Sequence, residues 1–161
     1  MEFKTGTIEG VRLSWLGRHL DRRGFLVETF RADELPEGFL PRMSYVSGTE
    51  PGTARGPHEH REQTDLFAFI GPGNFEIYLW DNRPGPTQGH RQVLYGGEDR
   101  PLALLVPPGV VHAYRNVSRA AVGWVFNYPD RLYAGRGRAE PVDEIRHEER
   151  QDLFYQDFVR E

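Results

Sequence analysis

The stretch PPGVVHAYRN, residues 107–116, starts with a Pro-x-Gly turn, places His112 three residues after Gly109, and reaches Asn116 four residues later. Its body is β-branched and apolar, so the turn feeds a strand that carries one histidine among core-type neighbours. A second stretch, ARGPHEHREQTDLF at 54–67, sets His58 and His60 two residues apart, with Asp65 shortly after. In a strand, residues i and i+2 point to the same face. Both imidazoles therefore aim together into whatever that face covers, and with a carboxylate from the next strand they form a set of donors suited to a divalent ion.

The same strand-and-turn grammar runs through the chain. Candidate strands are VRLSW (11–15), FLVETF (25–30), MSYVSG (43–48), DLFAFI (65–70), FEIYLW (75–80), RQVLY (91–95), LALLV (102–106), VVHAYRNV (110–117) and AVGWVFNY (121–128). Separators such as TEPGTARGP, GPGN, DNRPGPTQG and GGEDRP are rich in Gly, Pro, Asn and Asp. Many short strands at this spacing predict an all-β sandwich or barrel. Only the tail, around EPVDEIRHEERQDLF, offers a helix candidate, and its polarity predicts a surface helix or an extended arm.

Composition sets outer bounds. A chain of 161 residues suffices for one domain, taken as residues 1–161 with a core over about 21–130 and a tail over 131–161. The net charge of −4 argues against bulk binding to nucleic acid. There are no cysteines, which removes disulfide frameworks, Cys-zinc sites and thiol nucleophiles and fits a reducing cytoplasm. No apolar run reaches membrane-spanning length, and MEFKTGTIEG lacks the apolar segment of a signal peptide. Of the 20 basic residues only Lys4 is a lysine, so any cation inside a site has to be an arginine or a metal.

The two stretches resemble the paired motifs of the cupin superfamily. The first reads Gly52, His58, His60, Asp65 and Gly71, with Asp where Glu is usual; the second is complete at Pro107, Gly109, His112 and Asn116. That resemblance implies a double-stranded β-helix, a jelly-roll barrel, with these histidines pointing inside. DRRGFLVETFR (21–31), RGPH (55–58), QTDL (63–66), FEIYLWDNRPGPTQG (75–89), PPGVVHAY (107–114) and FNYP (126–129) further resemble the dTDP-4-dehydrorhamnose 3,5-epimerase family. Members of that family are dimers acting on a nucleotide-linked 4-keto-6-deoxy sugar, and they need no cofactor.

Residue by residue, the resemblance implies His58 as general base and Tyr128 as the acid on the opposite face of the sugar. It implies Arg23, Glu28, Arg55 and His112 as residues that hold the nucleotide-sugar. The assignment is chemically coherent. A proton next to a ketone needs a base poised near neutrality, a second group must return a proton to the other face, and diphosphate suits planar guanidinium forks.

Three departures from the family pattern stand out. Asp65 occupies the place of a lysine, His60 the place of a glutamine, and no recognisable aspartate orients His58, with Asp143 and Asp152 the nearest candidates. The first two changes remove a cation and install ligands, so His58, His60, Asp65 and His112 could hold a zinc, manganese, iron or nickel ion acting on a carbonyl oxygen. Two alternatives to the epimerase therefore stay open: a metal-dependent cupin acting on another small carbonyl compound, and a sugar-nucleotide-binding cupin without catalysis. Trp15, Trp80 and Trp124 are read as core, Arg136 and Arg138 as part of a solvated tail, His19 and His90 as loop residues, and His147 as lacking a partner.

Overall fold

The computed structural model describes residues 2–160. Its strands, in chain order, are β1 (Lys4–Thr5), β2 (Arg12–Trp15), β3 (His19–Asp21), β4 (Gly24–Leu26), β5 (Tyr45–Thr49), β6 (Ala54–Glu59), β7 (Asp65–Phe69), β8 (Asn74–Asp81), β9 (His90–Gly97), β10 (Leu102–Val106), β11 (Val110–Asn116), β12 (Gly123–Asn127) and β13 (Ile145–Arg146). Two short helices follow, α1 (His147–Arg150) and α2 (Leu153–Arg160). A six-stranded sheet runs β1-β9-β8-β11-β6-β13 and faces a five-stranded sheet ordered β2-β10-β7-β12-β5, while β3 and β4 form a separate hairpin. Pairing is antiparallel except between β1 and β9. This is the all-β jelly-roll expected from the motifs.

Period-2 alternation builds the core between the sheets. Phe67 and Phe69 of β7, Leu102, Leu104 and Val106 of β10, Phe75, Ile77 and Leu79 of β8, and Val125 of β12 all point inward and bury their side chains together. The alternate residues Leu66, Ala103 and Leu105 face outward, where Leu16, Leu35, Phe39 and Tyr128 cover them. At the Pro-x-Gly turn, Gly109 adopts a φ of 75° and donates its N–H to the His60 carbonyl at 2.8 Å. A side chain resists that φ, and the bond ties the start of β11 to the end of β6. Asn116, fully buried, donates to the carbonyls of Thr49 and Ala121, both at 2.8 Å.

Several expectations change. The tail is packed: Phe154 and Phe158 of α2 lie against Tyr78, Trp80, Val111 and Ala113 on the outer face of the six-stranded sheet. The Trp80 indole donates to Asp157 at 2.7 Å. Polar composition concealed this because two aromatics four residues apart are enough to give a short helix one apolar stripe. β1 and β2 precede the 21–130 stretch and β13 follows it, yet all three pair into the sheets. Of FLVETF only Phe25 and Leu26 are in a strand. Trp80 is core, but Trp15 and Trp124 are each 47% exposed. His19 and His90 begin β3 and β9 rather than lying in loops. No helix among the described residues is long and apolar enough to cross a membrane.

Candidate active site

A bulge in β6 builds the site. His112 of β11 pairs with His58 and Tyr114 pairs with Arg55, so Gly56 and Pro57 together oppose the single residue Ala113. Residues three apart in a regular strand point to opposite faces; the extra residue brings Arg55 and His58 to the same side. The bulge demands glycine. Gly56 has a φ of 85°, and a Cβ there would sit 2.5 Å from the His112 carbonyl oxygen. Arg55 is then held by hydrogen bonds to Thr49 Oγ1 at 3.1 Å and the Gly48 carbonyl at 2.6 Å.

His58, His60 and His112 converge. The rings of His58 and His112 lie 4.4 Å apart between centroids, those of His60 and His112 5.9 Å, and each residue offers a nitrogen within 4.8 Å of the others. Asp65, 1% exposed, places Oδ2 at 3.2 Å from His60 Nε2 and 3.6 Å from His112 Nε2. Its other oxygen accepts from Gln63 at 2.9 Å and from Asn127 at 2.8 Å. Burial, then the neighbouring His112 and His60, pushes His58 well below the ordinary histidine value, so its imidazole is neutral. Burial lowers His112 as well. Burial opposes charge on both His60 and Asp65, but their mutual attraction prevails, holding His60 up to about 9 and Asp65 down to about 2.

The donor set fits a divalent ion. His112 Nδ1 bonds the Val110 carbonyl and His60 Nδ1 bonds the Asp143 carbonyl, which turns both Nε2 atoms inward as a ligand set requires. His112 Nε2 and Asp65 Oδ2 are buried without a hydrogen-bond partner. The missing base-orienting aspartate is now explained in part. Asp143 accepts the backbone N–H groups of Arg61, Glu62 and Gln63, each at 2.9 Å, and positions His60 through its carbonyl. Asp152 bonds His147, so neither aspartate touches His58.

His58 and His60 open into a cavity of about 1380 Å³ whose walls include Tyr45, Ser47, Arg55, Tyr114 and the segment around Tyr133–Arg146. Arg136 and Arg138, read as a solvated tail, line it too. Three expected residues lie elsewhere. Arg23 is an exposed hairpin residue whose guanidinium pairs with Asp21 at 2.5 Å. Glu28 is half exposed and 3.7 Å from Arg31. Tyr128 follows β12 on the outward side, in the cluster with Leu66 and Leu105, where its ring meets Phe30 and its hydroxyl accepts from Thr29 at 3.0 Å. Asn127, one residue earlier, faces inward instead, so the structure does not bring Tyr128 to His58. Tyr45 was missed altogether, because nothing in MSYVSG distinguishes it from a core aromatic.

No profile of a known protein family matches the chain. It is 39% identical over 109 residues to the spore coat polysaccharide biosynthesis protein SpsL of Bacillus subtilis, spanning 67% of this chain and 71% of that one. It is 34% identical over 128 residues to a "probable low-salt glycan biosynthesis epimerase" of Haloferax volcanii, spanning 78% and 81%. Among solved structures it superposes on a dTDP sugar isomerase from Desulfovibrio desulfuricans with a TM-score of 0.74 at 25% identity, covering 86% of this chain and 84% of that one. Jelly-roll fold, epimerase motifs and relatives agree, and the chain belongs to the dTDP-4-dehydrorhamnose 3,5-epimerase family as a divergent member.

Proposed function

We propose that the protein is an isomerase that epimerises a dTDP-linked 4-keto-6-deoxy sugar in the cytoplasm, moving protons on carbon next to the ketone. The observation that carries this reading is a neutral, half-buried His58 that lines one cavity together with Arg55. A neutral imidazole can accept the proton; a guanidinium can hold the diphosphate. His112, in register with His58, fixes the base by ring contact at 4.4 Å. The charged His60 stands close to where the family carries its lysine, so the pocket keeps a cation despite Asp65, and that cation is a histidine where the sequence predicts only arginine or a metal. The relatives support the substrate class, since one is named a dTDP sugar isomerase and another a glycan biosynthesis epimerase.

The test is proton exchange with solvent. In heavy water, wild-type protein with dTDP-4-keto-6-deoxyglucose incorporates deuterium at C3, C5 or both, read by mass spectrometry. His58→Ala abolishes incorporation, a loss on the order of 10²–10⁴-fold or more. Tight dTDP binding with no exchange would instead make this a binding protein.

A second reading is favoured by the buried His112 Nε2, which makes no hydrogen bond and lies 3.6 Å from Asp65 Oδ2. There His58, His60, Asp65 and His112 hold one divalent ion. The ion would polarise a carbonyl oxygen as a Lewis acid, and His58, as a ligand, would no longer be the free base.

A further inference from the structure

Inverting a carbon centre needs a base on one face and a proton donor on the other, and the displacement of Tyr128 to the outside of the barrel leaves the second role vacant. We infer that Tyr45 fills it: its hydroxyl delivers the proton to the sugar from the wall opposite His58. The inference rests on the epimerase reading above.

The geometry selects Tyr45 among the tyrosines that line the cavity. His58 projects from β6 of the six-stranded sheet and Tyr45 from β5 of the five-stranded sheet, so the two flank the cavity from facing walls. Tyr45 pairs in register with Asn127, and alternation along β5 puts it on the inward side with Ser47, whose hydroxyl meets that of Tyr114. The Asn127 amide donates one hydrogen to Asp65 Oδ1 and the other to the Tyr45 oxygen, both at 2.8 Å. The phenol oxygen is therefore an anchored acceptor. No hydrogen bond among the described residues uses its own hydrogen, and Tyr45 lines the cavity. The alternatives lack one property or the other. Tyr114 shares its hydroxyl with Ser47 at 3.1 Å and is 5% exposed, and no hydrogen bond among the described residues anchors the hydroxyl of Tyr133 or Tyr155. Desolvation, reinforced by the Asp65 charge, keeps the Tyr45 phenol protonated above the ordinary tyrosine range.

The step balances. His58 takes the proton from the carbon beside the ketone, and the C–H electron pair moves into the enolate. As that pair returns to carbon, the Tyr45 O–H bond breaks and its proton joins the opposite face. The Asn127 N–H steadies the phenolate left behind. Water then removes the proton from His58 and reprotonates Tyr45, restoring the enzyme.

The experiment compares wild type and Tyr45→Phe in heavy water with dTDP-4-keto-6-deoxyglucose, following deuterium by mass spectrometry and configuration by proton NMR. Tyr45→Phe should bind dTDP and unfold thermally like wild type, retain exchange because His58 can return the proton to the face it left, and lose net inversion by on the order of 10²–10⁴-fold. Tyr45→Phe inverting the sugar at the wild-type rate overturns the assignment, and so does loss of exchange and inversion together in a variant that still binds dTDP. Absence of exchange in the wild type is a different result. It defeats the epimerase reading itself, and the role of Tyr45 with it.

Discussion

At the scale of single residues, the site turns on who owns the charge around Asp65. In the protein alone His60 carries a proton, held up to about 9 by the Asp65 carboxylate. A metal ion needs that nitrogen bare, so binding displaces a proton and competes with it. If the metal reading holds, the protein takes up about one divalent ion per chain. Affinity then rises with pH toward about 9 as His60 discharges, and it weakens as pH falls through the histidine range. His60→Ala and Asp65→Ala each abolish uptake. Elemental analysis after incubation with zinc, manganese, iron and nickel, together with calorimetry at several pH values, checks all of this. A protein that stays metal-free leaves His60 as the pocket's cation.

At the scale of elements, the tail is fastened by one histidine. His147, 5% exposed at the start of α1, bonds Glu59 of β6 at 2.9 Å and Asp152, just before α2, at 2.5 Å, and its ring packs on Phe154. Burial opposes its charge, but the two carboxylates outweigh burial and raise its pKa. A group whose folded value lies above its unfolded value, about 6.5 for histidine, stabilises fully below that unfolded value and loses the contribution as pH rises through the folded one. Thermal midpoints should therefore fall as pH climbs above about 6.5, and His147→Gln should lower the acid side and flatten that slope. His60 titrates with the same sign, so the difference between wild type and variant, not the wild-type curve, isolates the clamp. Parallel curves for the two proteins would show that His147 does not fasten the tail.

At the scale of the whole molecule, the β3–β4 hairpin is unfinished. It pairs with neither main sheet and exposes Leu20, Phe25 and Leu26 by 75%, 56% and 60%. Trp124 and Val46, at 47% and 53% exposed, add apolar surface at the β5–β12 edge of the five-stranded sheet. Exposed apolar side chains in this number mark an interface, and an isologous pair covers the same surface on both copies. We therefore propose a homodimer in which residues within 1–30 dock on the partner's sheet. Light scattering should return twice the chain mass, and Phe25→Asp should shift it toward one. A wild-type monomer at working concentrations would end the proposal.

The strands, the inward aim of His58, His60 and His112, and the jelly-roll were legible in the chain, because period 2 and turn chemistry are local properties that a one-dimensional pattern records. Arg55 was legible only through the family resemblance, and the places of Tyr128, Arg23 and the tail were not legible at all. Arg55 reaches the pocket only because Gly56 and Pro57 bulge against Ala113. Tyr128 leaves it because Asn127 takes the inward position on the way out of β12. His147 acquires partners from β6, far away along the chain. A residue type and its spacing say which groups share a face; only the tertiary structure decides which face closes over the cavity, since that depends on register, on a bulge and on contacts between distant segments.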